Sequence, residues 1–206
     1  MRENRKRISE TNIFNVIIVC IMIAPIMGAL TENLKLFIAT MCTIPVVVLL
    51  LFILWLKYGY SGIHLNSINV FVMLIMIFFY SAIPLFSIVW GTWVGWLIIL
   101  VHIITFMIGF INREKIACNI NGIDEDGNRA PPKFLLYYYI GMLVLGIGGI
   151  ITMRVTIATE GSLVIFFGFL HLIIYYIFAI SPIFLIDPKR ALEMGIVSQS
   201  HYDEYY

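Results

Sequence analysis

The chain has 206 residues, of which 61% are hydrophobic and 12% charged. Soluble domains sit nearer about 45–50% apolar and about 25% charged, because a surface in water needs polar cover. Composition therefore excludes a water-soluble fold of this size and calls for a bilayer around the protein. Lys+Arg 13 against Asp+Glu 12 leaves a net charge of +1, which gives no basis for nucleic-acid binding.

A membrane helix needs about 20 mostly apolar residues, since the hydrocarbon layer is about 30 Å thick and a helix rises about 1.5 Å per residue. The chain opens on a basic segment with Arg2, Arg5, Lys6 and Arg7, followed by a charge-free run from Thr11 to Thr31. This front resembles a signal peptide. The run is longer than a signal core and lacks a small-x-small cleavage pattern, so it is expected to stay as an anchor, helix one over 12–30. A second uncharged run, Leu36 to Leu56, predicts helix two over 34–56. Tyr58 to Asn112 carries no charge either and is too long for one span. A turn at Trp90-Gly91-Thr92 divides it into helices three (68–89) and four (93–112). Helix five is expected over 134–153 and helix six over 162–186. The fold class is thus all-α: a polytopic bundle of six transmembrane helices in 1–186 and a short cytoplasmic helical tail in 187–206.

Orientation follows from the basic residues, which concentrate on the cytoplasmic side. With the N-terminus inside, the inner segments hold Arg2, Arg5, Lys6, Arg7, Lys57, Arg113, Lys115, Arg129, Lys133, Lys189 and Arg190, and the outer ones only Lys35 and Arg154. This places the protein in the cell membrane with both termini cytoplasmic. Trp90, Trp93 and Trp96 then mark the outer interface.

Apart from Lys35 at the outer end of helix two, no Asp, Glu, Lys or Arg falls within a span, which argues against a proton-driven pump or an ion-coupled carrier. What remains at depth is milder. Gly91, Gly95, His102, Thr105 and Gly109 fall on one face of helix four, and Gly161, Gly168, His171, Tyr175 and Pro182 on one face of helix six. Tyr80, Pro84 and Ser87 share a face of helix three. One reading is helix packing over Gly91, Gly95, Gly109, Gly161 and Gly168, since bilayer helices associate by close contact over small residues. The other is a small intramembrane polar site of His102, His171, Thr105, Tyr80, Ser87 and Tyr175, joined by Thr40 and Thr43 and set between helices three, four and six. His102 and His171 each lie nine residues into helices that run in the same direction. They reach the same depth, about 14 Å, and can touch. A paired-imidazole haem or metal site uses such geometry, but no carboxylate or cysteine supports it here. The expectation is that each is a neutral histidine hydrogen-bonded to Thr105, a tyrosine hydroxyl or a free carbonyl, with no catalytic residue, cofactor or metal.

Cys20 and Cys42 lie within apolar runs and Cys118 in the inner loop, without a disulfide framework or metal-ligand spacing. That loop, Arg113 to Lys133, carries turn residues and is not an EF-hand, because Gly122 and Lys133 occupy ligand positions. In the tail, Asp187 is placed to cap a helix opening with Pro188 and closing at Gly195. Ser198 is placed to cap a second one with Tyr202, Tyr205 and Tyr206.

The string Leu192, Met194-Gly195-Ile196-Val197-Ser198 and Tyr202 resembles the SHOCT-type short helical hairpin, a C-terminal module of many bacterial proteins. It covers about 20 residues and lacks that module's acidic run after the serine. The resemblance implies a bacterial source and a protein-contact role, and no chemistry. Three function classes stay open. The first, favoured by the tail and the packing faces, is a non-catalytic accessory, immunity or regulatory protein, acting in the bilayer through helix packing and through a partner on the Arg113–Lys133 loop and tail. The second is a small-molecule permease or membrane substrate-binding subunit. The third is an embedded enzyme or haem protein using His102 and His171. Oligomeric state stays open.

Overall fold

The structure is a computed structural model that describes residues 8, 11–59, 62–123, 140–141, 143–144 and 162–197. Among them the architecture is all-helical, in chain order α1 (Ile13–Ala29), α2 (Leu34–Tyr58), α3 (Gly62–Val89), α4 (Trp93–Ile111), α5 (Arg113–Ile120) and α6 (Ser162–Phe178). A 3-10 turn at Ser181–Leu185 and α7 (Pro188–Glu193) complete it. Among the described residues four segments are long and apolar enough to cross a membrane: Leu34–Tyr58, His64–Val89, Trp93–Ile111 and Phe167–Leu185. α1 is a shorter apolar helix of 17 residues, about 25 Å at the helical rise. Most of helix five, Gly161 and the tail beyond Val197 lie outside the described residues.

The outward faces are apolar, as a bilayer requires: Met22 is 63% exposed, Leu34 72% and Trp93 75%. Burial is confined to seams. Along α1 the buried residues Val16, Cys20, Ala24 and Gly28 recur every four residues, the spacing that keeps one face toward a neighbour. They pack with Val47 and Leu51 of α2 and with Ile68, Val72 and Tyr80 of α3. α3 lies at the centre and touches α1, α2, α4, α6 and the 3-10 turn.

Local chemistry sets the ends. The Asn33 side chain accepts hydrogen bonds from the backbone N–H of Lys35 (3.0 Å) and Leu36 (3.3 Å), starting α2. Gly91 has φ +78°, the left-handed region that favours glycine, and so makes the tight α3–α4 turn. Thr92 then caps α4 by accepting from the Gly95 N–H at 3.2 Å. Two boundaries differ from the sequence reading. α3 starts at Gly62, six residues before the expected 68. α6 ends at Phe178 instead of continuing to 186, and the chain turns through Ser181–Leu185 in 3-10 form. Pro182 cannot donate to the carbonyl one turn earlier, so the α-helical ladder stops there.

On the side bearing the α4–α5 junction, α5 and the tail form a clasp. Ala117, Ile186 and Ala191 bury together. Arg190 Nη2 lies 3.0 Å from Glu114 Oε2 and its Nη1 lies 3.0 Å from Glu193 Oε2. The Glu114 carboxylate, then Glu193, holds the Arg190 guanidinium above its ordinary range. Asp187 caps α7 by accepting from the Lys189 N–H at 2.9 Å, and Gly195 closes it at φ +70°.

Candidate functional site: a histidine pair beside an apolar groove

α3, α4 and α6 meet around two imidazoles. His102 Nε2 of α4 lies 3.0 Å from His171 Nε2 of α6. His171 is buried, and its Nδ1 lies 3.0 Å from Ser81 Oγ of α3. The Ser81 hydroxyl is also 2.8 Å from the Phe78 carbonyl, to which it can donate. At the other end His102 Nδ1 lies 2.5 Å from the Ile98 carbonyl one turn earlier. A carbonyl only accepts, so His102 carries a proton on Nδ1. In a neutral pair its Nε2 then accepts, and His171 donates from Nε2.

Aromatic rings seal the pair. Phe78 stacks on Phe178 at 4.1 Å between centroids and sits 4.9 Å from His102 and 5.0 Å from His171. Tyr175 meets His102 edge-on at 4.7 Å, and its hydroxyl is hydrogen-bonded to Thr105. The helices approach because Gly109 has no side chain: a Cβ there would lie 2.7 Å from the Ala179 carbonyl and 3.4 Å from Pro182 Cγ.

The structure thus brings together four of the six polar residues singled out in the sequence: His102, His171, Thr105 and Tyr175. Tyr80 points elsewhere. It is buried against α2, with its hydroxyl 2.8 Å from Thr43 Oγ1. Thr43 donates to the Thr40 carbonyl at 2.6 Å, so this trio forms its own small network. Ser87 donates to the Pro84 carbonyl at 2.7 Å and lines a groove instead. Of the glycines, Gly91 stands in the turn and not on α4, a Cβ at Gly95 would meet the Val89 carbonyl of its own hairpin at 2.6 Å, and one at Gly168 meets nothing within 4 Å. Sequence reasoning missed Ser81 and Phe78. Their spacing of three on α3 was the available signal, since it puts both on the face opposite the histidines.

The groove is the second part of the site. It encloses about 770 Å³ between the start of α2, the second half of α3 and α4. Phe79, Ile83, Phe86, Ile99 and Ile103 wall it. Asn33, Lys35, Ser87 and Trp90 stand at one end, and His102 lines it at depth. That end carries the α1–α2 and α3–α4 turns. His102, nine residues beyond Trp93, lies about 14 Å farther along the helix.

The chemistry of the pair is bounded by its geometry. Ser81 is 1% exposed and bonded at both its neighbours, which makes it a poor nucleophile. The two Nε2 atoms, in direct contact at 3.0 Å, are too close for a porphyrin iron between them, which would hold them about two bond lengths of ~2 Å apart. Among the described residues no group of three or more His, Cys, Asp or Glu converges on a metal position. No family model, curated protein or solved structure matches the chain.

Proposed function

We propose that this chain is a six-span cell-membrane protein with both termini cytoplasmic, and that it is a non-catalytic binding protein for a small amphiphile with an acidic head and an apolar tail. The observation that carries this reading is the groove beside α4. Its volume of about 770 Å³ falls in the range of ligand pockets, about 300–1,000 Å³. Its walls are apolar, its rim holds Lys35 with Asn33 and Ser87, and no acidic residue lines it. A headgroup carboxylate or phosphate at Lys35 gains a charge-assisted contact at the polar interface, while its tail follows Ile83 and Ile103 toward His102. The sequence places this rim on the outer side, where Trp90, Trp93 and Trp96 fit an interfacial belt. The absence of charged residues from the interior of the spans fits a holding role better than coupled transport. Among the three classes this joins the accessory and substrate-binding readings and leaves the enzyme reading unsupported.

A photoactivatable fatty acid tests it. With the protein in lipid nanodiscs, crosslinked adducts should concentrate on Phe79, Ile83 and Ile103, and should fall several-fold in Lys35→Glu and in Ile83→Trp. Adducts spread evenly over the outward residues Ile18, Met22, Leu49 and Phe52 would mean that the groove holds only ordinary boundary lipid, and would overturn the reading.

A further inference from the structure

We propose that Ser81, His171 and His102 form a binding site for a single proton, suspended in the membrane between two backbone carbonyls. Protons can be counted along a chain of contacts that is present whether or not the groove holds an amphiphile. The chain runs from the Ile98 carbonyl to His102 Nδ1, from His102 Nε2 to His171 Nε2, from His171 Nδ1 to Ser81 Oγ, and from Ser81 Oγ to the Phe78 carbonyl. These are four contacts, all at 2.5–3.0 Å. Each needs one hydrogen. Both ends are carbonyls, which supply none, and two neutral imidazoles and one hydroxyl supply three. The chain is therefore one proton short of complete.

Both occupancies leave every ring nitrogen satisfied, and that is what makes the arrangement a site. In the neutral state His102 donates to Ile98, His171 donates to His102, and the Ser81 hydroxyl turns to donate to His171 Nδ1. The Phe78 contact is then given up. It is the cheapest to lose, because a mid-helix carbonyl has its own backbone partner. When a proton arrives on His171, Nδ1–H donates to Ser81 Oγ, and the Ser81 hydroxyl swings to the Phe78 carbonyl. All four contacts are then made with no movement of a heavy atom. The bonds to the cation are charge-assisted and roughly twice as strong as neutral ones. The proton is shared by the pair, since the second imidazole accepts from the first, and a second proton would leave two cationic N–H groups facing each other across 3.0 Å. The site thus takes one proton and refuses two.

Lys35 apart, the side chains around it are uncharged. α3 contributes Phe78 and Ser81, α4 adds Thr105, and α6 adds Tyr175, whose hydroxyl is held by Thr105. From α2, Lys35 shares the groove that His102 lines and opposes the added charge. The spans themselves hold no Asp or Glu.

The experiment is ¹⁵N NMR of histidine-labelled full-length protein in nanodiscs, from about pH 8 to about pH 4, a window that extends below the range of about pH 5 to 8 in which imidazoles ordinarily titrate. The expected result is one shared midpoint for His102 and His171, with one proton taken up by the two rings together. At high pH His102 should be protonated on Nδ1 and His171 on Nε2. Removing the acceptor with Ser81→Ala should weaken proton binding about tenfold, a shift of about one pH unit to lower pH, because a charge-assisted bond is lost where only a neutral one was available otherwise. Two independent one-proton steps, no uptake by either ring over this range, or a stoichiometric metal held by the pair would each overturn the proposal. So would an unchanged midpoint in Ser81→Ala. The wild-type stoichiometry stands on its own if that variant fails to fold.

Discussion

The two sides of α3 are built differently. Toward α1 and α2 it meets a seam of Val16, Cys20, Ala24, Val47 and Leu51, where the Tyr80 hydroxyl meets Thr43 within apolar packing and Asn66 accepts from the Asn12 N–H at the end of the seam. Toward α4 and α6 its own Ser81 and Phe78 meet two histidines and the Phe178 ring, with a groove alongside. In a bilayer neither seam gains from leaving water, because lipid tails are as apolar as leucine. The first seam is held by close fit and the second by hydrogen bonds together with the close approach at Gly109. The difference teaches where function can reside: a seam closed by shape has nothing to exchange, whereas one closed by protons and bordered by open volume does.

The largest test of this contrast is Gly109→Leu. The first added carbon would fall 2.7 Å from the Ala179 carbonyl, a backbone atom that cannot rotate away, so α4 must separate from the 3-10 turn. A loss of about 3 kcal/mol is expected, the upper part of the overpacking range. Thermal unfolding in detergent measures it, with Gly168→Ala as a control that should be neutral or slightly stabilising, since nothing lies within 4 Å there. Equal tolerance of both would mean that α4 is not seated where the structure has it.

Leu51→Ala addresses the other seam. Leu51 is completely buried, and its truncation should cost about 2 kcal/mol through lost contacts and a residual cavity, toward the lower end of the soluble range because the membrane reference state is itself apolar. The smallest effect belongs to Tyr80→Phe, which removes the hydroxyl bonded to Thr43 and nothing else. About 0.6 kcal/mol is expected, the average for a side-chain hydrogen bond in a membrane protein. If Tyr80→Phe costs more than Leu51→Ala, the α1 seam is held by polar contacts after all and the contrast collapses.

The four long apolar helices were legible in the sequence because an uncharged run of some twenty residues has few other places to go. That His102 and His171 can reach each other was legible too, since equal depth on two helices running the same way follows from counting residues; that they bond to each other and to Ser81 was not. Tyr80 shows where such counting fails. Helical spacing tells which residues share a face, but the rotation of α3 among four neighbours is fixed by packing, and that rotation sends Tyr80 to α2 and Ser81 to His171. Prolines show a second limit. Pro25, Pro45 and Pro84 sit inside continuous helices while Pro182 lies where one ends. The sequence offers four similar residues, and whether neighbours accommodate the missing N–H decides which one breaks its helix. The groove depends on how α2, α3 and α4 splay, which no local pattern encodes.

The contact between His102 and His171 spans 69 positions of chain. At a synthesis rate of about 5–20 residues per second, the ribosome needs roughly 3 to 14 s to make the second histidine after the first. The α1–α2–α3 seam needs nothing beyond Val89 and has no such wait. During that interval α3 and α4 stand as a hairpin, with Ser81 and His102 lacking the partner they will share. Each is bridged to a carbonyl of its own helix, Phe78 and Ile98, so the nascent hairpin can rest in lipid with its polar groups answered locally. The same two carbonyls that close the finished chain of contacts thus serve first as placeholders, and assembly of this half of the protein is timed by the arrival of α6.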